Sequence, residues 1–440
     1  MDWKHWNKWI LVELPRLNRA VLSGAETPEG SIAQLRFEFL DTLPPAEVFP
    51  AADARRMLVL LDLVGASVAR HRQEADLSLK QRPSDSFSQL PVGTTGTPFL
   101  GYFAELAAAT GTGHADRDCY ASLVRWNAPT TRVELDGQTL AVLPGSFPDL
   151  NIRTYTGNPG EYAFFELLKK SEALELAINN TLEPVAQGTT DIRSPEAAGR
   201  ALAGARLMSS LIQLSEDFLS SPPENGGLDI GHFLDVFRQF LAHWRPGDVP
   251  PSGAQDSEFL RRDLLLGIDF PEYDRHVRRM YPALLDSERT ELDRCVTRPP
   301  LPVSLLGSLG ISAAALTASS PAHLARTAGE HPQLAAWYFL LAANAKYSAV
   351  HLRLTEKYMF KPQRSRDRSG VGDRPLVSNR IGSTGMQESL LVQLTRARRN
   401  HVLRPFAQVP RQRLAALCGM DRAQFEREDL PKAHFVASAQ

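Results

Sequence analysis

Cysteine is nearly absent from this 440-residue chain: Cys119, Cys295 and Cys418 are far apart and odd in number. That excludes a disulfide framework, a paired-cysteine zinc site and a cysteine-held iron–sulfur cluster, and it fits a reducing cytoplasm. An excess of one charge is lacking too, since 49 Lys and Arg stand against 50 Asp and Glu. No overall field steers the chain to nucleic acid or an anionic membrane, so a small-molecule partner is expected. Long apolar runs are missing. The longest uncharged stretch, 299–325, is interrupted by Pro299, Pro300 and Pro302, two glycines and several Ser and Thr, so no membrane span is expected. The opening segment M-D-W-K-H-W-N-K-W-I has neither the apolar run nor the small-residue cleavage site of a secretory leader, which again reads as cytoplasmic.

The commonest catalytic signatures do not occur. There is no G-x-x-x-x-G-K-[ST], no H-E-x-x-H, no G-x-S-x-G and no G-x-G-x-x-G opening a helix after a strand. P-loop, zinc-protease, hydrolase and dinucleotide readings lose their support.

What is present is ordinary globular composition, 43% hydrophobic and 22% charged, with helical periodicity through most of the chain. Helical runs are predicted at 99–109, 194–219, 229–243, 257–268, 271–296, 335–360 and 386–403, and another from Glu161 through Phe164, Phe165, Leu168, Leu174 and Ile178. Strand-like alternation is confined to Val133, Leu135, Leu140 and Val142, read as a linker or a hairpin. The expected organisation is an all-α fold, with an N-terminal helical part at 1–125, a linker at 126–160 and a helical catalytic part at 161–440. The polar segment 361–380 reads as a loop, either a lid or a solvated connector. Trp3, Trp6 and Trp9 read equally as a docking arm or as covered aromatics, so the oligomeric state is open.

Among eleven histidines, His351 stands out. It shares one face of an apolar helix with Tyr347, Leu354 and Tyr358. A lone imidazole there reads by itself as a core histidine or as a ligand. Arg238, within the apolar run L-D-I-G-H-F-L-D-V-F-R-Q-F-L-A-H-W, needs a desolvated anionic partner, and its planar fork suits a carboxylate.

The run H-L-R-L-T-E-K-Y-M-F-K-P, a polar loop, and I-G-S-T-G-M-Q-E-S-L-L-V-Q-L-T-R-A-R-R together resemble the C-terminal signature of the indoleamine/tryptophan 2,3-dioxygenase superfamily of histidine-ligated haem oxygenases. In that family a histidine helix is followed by a flexible loop, a Gly/Thr turn and a helix of the form L-M-x-F-L-x-x-x-R. Three further segments resemble it in the same order: G-E-Y-A-F-F-E-L-L-K-K, the run around Phe233 and Arg238, and P-S-G-A-Q-D-S-E-F-L-R-R-D. W-N-A-P, R-T-Y-T-G-N-P-G-E and R-S-P-E-A are closest to the branch of monodechloroaminopyrrolnitrin synthase and its relatives.

The resemblance implies haem b with His351 on the iron, Ser252, Gly253 and Ala254 against the macrocycle, and Asp263 in the propionate-binding network. It implies Phe164, Phe165, Phe233 and Tyr358 around an aromatic amino-acid substrate and dioxygen, with Arg238 on the carboxylate. Ser383 and Thr384 would meet the substrate at the Gly382–Gly385 turn, and Arg238 and Ser383 are the catalytic candidates. An electron donor that keeps the iron ferrous is a further partner the family reading allows. Here the chain departs from the pattern: the family's arginine three residues before the ligand is Ser348, with Lys346 as a substitute, and Tyr358 is one residue out of register. Three other readings stay open: a haem sensor or carrier without turnover, a haem-dependent tyrosine-type hydroxylase, and a helical scaffold without cofactor.

Overall fold

The computed structural model describes residues 2–374, 376–420 and 433–438. Helix accounts for 66% of the chain and strand for 4%, so the all-α expectation holds. No helix among the described residues is long and apolar enough to cross a membrane.

Three long helices carry the larger half. The Phe164 helix, Pro159–Ala186, starts where the Asn158 side chain accepts from the Gly160 N–H and Pro159 takes a first-turn position that needs no donor. The helix Pro195–Ser220 starts in the same way, with Ser194 accepting from the Ala197 N–H at 3.1 Å. Its buried face is largely small, with Ala197, Ala201, Gly204 and Ala205. Against it lies the His351 helix, Gln333–Thr355, so close that a Cβ on Gly204 would stand 3.2 Å from Leu340 Cδ1.

Apolar side chains form two large cores. One gathers Trp6, Trp9, Leu58 to Leu61, Phe99 and Tyr120, and extends to Phe165, Phe237, Phe240 and Trp244. Trp6 and Trp9 are therefore core residues, and Trp3 packs edge-on against Trp6 and Phe49, which removes the docking-arm reading. The second core gathers Leu174, Ile178, Met208, Leu211, Trp337 and Leu340. Two smaller clusters centre on Tyr273 with Phe360 and on Phe218 with Tyr358. Phe233 packs against three of these four and Phe164 against two, so the predicted aromatic site lies where cores meet.

The span 126–160 contains an antiparallel hairpin, Thr130–Leu135 with Gln138–Leu143, turned by Asp136 and Gly137 at positive φ. His434–Ser438 adds a third antiparallel strand beside Thr130–Leu135, a pairing no local pattern announces.

Two helical expectations and one loop expectation need correction. The run 229–243 breaks: a helix at Ile230–Asp235 gives way to a 3₁₀ turn at Phe237–Leu241. Arg70 donates to the carbonyls of Asp235 (3.2 Å) and Val236 (2.5 Å), and Gln239 to that of Leu234 (2.8 Å), capturing acceptors a continuing helix would use. The run 271–296 divides at Tyr281–Ala283, where Pro282 has no N–H to give. The polar segment 361–380 is partly helical: the His351 helix passes through a wider π turn at Glu356–Phe360 into a helix at Lys361–Arg368, with Pro362 in its first turn.

Candidate functional site

His351 is partly exposed on its helix, between the rings of Phe259 (6.0 Å) and Tyr347 (6.1 Å). Neither imidazole nitrogen makes a hydrogen bond among the described residues, and the His351 carbonyl accepts from the Thr355 hydroxyl. Burial, then the nearby Arg398 and Arg262, pushes the ring's pKa down to about 4, so it is neutral at ordinary pH with a lone pair to offer.

Beside it lies a dense ion-pair network. Asp263 accepts from Arg398 Nε (3.2 Å) and Nη2 (2.5 Å), from Arg262 Nη2 (3.2 Å) and from the Tyr273 hydroxyl (2.8 Å). Arg262 also pairs with Glu175. Burial would raise the Asp263 carboxyl, but Arg398 and Arg262 outweigh it and hold the group below its usual range. Glu175, by contrast, is raised to about 7 by burial, in spite of Arg262. Arg398 reaches further, donating to Ser348 Oγ at 3.0 Å. A guanidinium from another helix, Glu388–Arg399, thus reaches both Asp263 and Ser348, the residue three positions before His351. Lys346, the substitute read from the sequence, is exposed.

Phe164 packs on Phe218 (6.2 Å), Phe233 (5.7 Å) and Phe237 (5.4 Å), and Tyr358 on Phe218 (5.6 Å) and Phe233 (5.9 Å). Phe165 faces elsewhere: it belongs to the first core with Tyr155 and meets the cage only through Phe237. Phe164, Phe233 and Tyr358 are therefore brought together, while Phe165 supports them from behind. Phe218 and Phe237 complete the cage and were not singled out, because an aromatic at helical spacing carries no mark separating cage from core.

Arg238 is 5% exposed and makes no ion pair among the described residues. Its Nη2 donates to the carbonyls of Ser378 (2.9 Å) and Ile381 (2.5 Å), while its buried Nε has no partner. Burial lowers its pKa to about 10, and Asp373 opposes that only in part. Three more enclosed groups lack partners: Thr384 Oγ1, the Tyr358 hydroxyl, and both amide atoms of Asn379. Buried polar atoms are almost always bonded, so each of these groups has bonding capacity left for a partner.

The segment after the His351 helix is fastened to the Phe233–Arg238 region. Asp235 receives Arg366 in a bidentate pair (2.7 Å each) and Arg374 at 3.0 Å, and Gln239 exchanges bonds with the backbone of Val377. The predicted turn closes with Gly385 N–H on Gly382 O at 2.8 Å. Gly385 has φ +76, and a Cβ there would stand 2.5 Å from Arg279 Nη1. Ser383 Oγ donates to the Pro251 carbonyl at 3.3 Å, tying this turn to the one at Ser252, Gly253 and Ala254. The latter is a 3₁₀ turn stabilised by Ser252 accepting from the Ala254 N–H, with Gly253 against Leu168.

Among the described residues no three His, Cys, Asp or Glu side chains are grouped to hold a bare metal ion. A haem iron asks the chain for as little as one axial imidazole, and a neutral, unbonded, partly exposed His351 fits that demand. Asp263 does not offer itself to a cofactor directly, being wholly enclosed by Arg398, Arg262 and Tyr273. No protein-family model matches the chain, and no curated protein matches it.

Proposed function

We propose that this chain is a haem-dependent oxygenase acting on tryptophan or a related aromatic amino acid, as the likeness to the indoleamine/tryptophan dioxygenase superfamily implies. The observation that carries the reading is Arg238: a buried guanidinium that forms no ion pair among the described residues and has an unbonded Nε, following directly on the Phe237 of a phenylalanine and tyrosine cluster. A buried charge held only by neutral carbonyls is costly, and a substrate carboxylate would take the unbonded Nε and supply an ion pair. The cage takes the ring by edge and face contact.

His351 would hold the iron, and the Ser252–Ala254 turn would lie against the macrocycle. Bound haem would supply the activation of dioxygen, which no side chain here can. The chain's own part is orientation and exclusion of water: Arg238 fixes the carboxylate, Phe164, Phe233 and Tyr358 fix the ring, and the segment held by Asp235 and Gln239 covers them.

Calorimetric titration of the haem-loaded protein with L-tryptophan, L-tyrosine and L-phenylalanine tests this. Binding of at least one is expected, weakened about 100-fold in Arg238→Met because a buried charge pair is lost. Equal affinity in the native and variant proteins would contradict the assignment.

A further inference from the structure

We infer that Asn379 is a specificity-determining residue that reads the amino-acid head group, engaging ammonium and carboxylate at once and so selecting α-amino acids over amines and acids. The inference rests on the reading of Arg238 as the carboxylate site and extends it to a residue outside the sequence signature.

Asn379 is fully enclosed, and neither its Oδ1 nor its Nδ2 has a hydrogen-bond partner. A primary amide can accept at one end and donate at the other, so leaving both unmade inside a protein is rare. Its backbone is fixed independently: the N–H donates to Asp373 Oδ1 at 2.8 Å, and the neighbouring Ser378 hydroxyl binds Asp373 Oδ2. The two carbonyls that grip Arg238 belong to Ser378 and Ile381, so they bracket Asn379 in the chain. Thr384, five residues on, has the next unbonded buried oxygen.

The chemistry then narrows the occupant. A carboxylate only accepts and would satisfy Nδ2 alone; an ammonium only donates and would satisfy Oδ1 alone. A zwitterionic head group satisfies both, with Arg238 on the carboxylate and Thr384 as a second acceptor for the ammonium. Arg238 by itself would admit any aromatic acid. Asn379 adds the demand for an amine beside it, because a site built to bond a group rejects the analogue lacking it.

The test measures dissociation constants of the haem-loaded protein for two ligand sets: L-tryptophan, tryptamine and indole-3-propionate, and L-tyrosine, tyramine and 4-hydroxyphenylpropionate. In the native protein the amino acid binds about 10-fold or more tightly than its acid analogue, the worth of one well-made bond to a charged group. In Asn379→Leu, which removes both amide atoms at similar volume, that ratio falls towards one. A variant that only loosened the segment would weaken both ligands alike and leave the ratio unchanged. Asn379→Asp gives an independent reading: it keeps an acceptor and loses the donor, so it favours the amine over the acid relative to the native protein. An unchanged ratio in both variants overturns the inference and leaves the proposed function standing. No binding of either set to the native protein overturns both.

Discussion

Arg398 and Arg238 are both buried guanidiniums, and their surroundings are opposite. Arg398 sits in a network where Asp263, Arg262 and Glu175 pair charge with charge, although single atoms such as Arg262 Nε remain unbonded. Arg238 forms no ion pair among the described residues, donates to two backbone carbonyls, feels Asp373 only as a partial offset to its burial, and lies among other unbonded groups, Asn379 and Thr384. The first arrangement pairs its charges within the chain and specifies structure. The second is incomplete within the chain, and completeness requires something added. Burial alone does not separate a structural arginine from a binding one; the presence of a counter-charge does.

Substitution should split the two sharply. Arg398→Ala leaves Asp263 and Ser348 short of a partner in an enclosed site, and a loss of about 3 kcal/mol in urea-unfolding free energy is expected. Arg238→Met should shift that free energy by no more than about 1 kcal/mol, since two lost bonds are offset by relief of a buried charge, while ligand binding collapses. If Arg238→Met is the more destabilising of the two, the contrast between a closed and an open site is wrong. A smaller effect is expected at the fastening of the segment that covers Arg238. Asp235→Asn removes the charge that holds Arg366 and Arg374, partly exposed pairs that contribute little to global stability. The expected result is faster limited proteolysis within 361–387 with an unfolding free energy changed by less than about 1 kcal/mol; an unchanged cleavage rate would remove Asp235 as the fastener.

Much of this contrast was legible in the sequence, though unevenly. Long helices with clear caps, such as the one opening at Ser194 and Pro195, announce themselves through local rules. His351, Arg238 and the aromatics Phe164 and Phe233 are singled out because their spacing and context resemble a known signature. Arg398 ends that same signature, yet its partnership with Asp263 spans 135 positions, which no local pattern shows. The break before Arg238 was invisible because its cause, Arg70, lies 165 residues away. Asn379 had no signal at all: a polar residue in a polar segment looks solvated until the fold encloses it.

The most direct test of the account is the absorption spectrum of protein expressed with a haem precursor, ferric and then reduced under carbon monoxide, for the native chain and His351→Ala. The account predicts a Soret band in the native protein that is lost or strongly diminished in the variant. A native protein without a Soret band, or a variant whose band is unchanged, would contradict it.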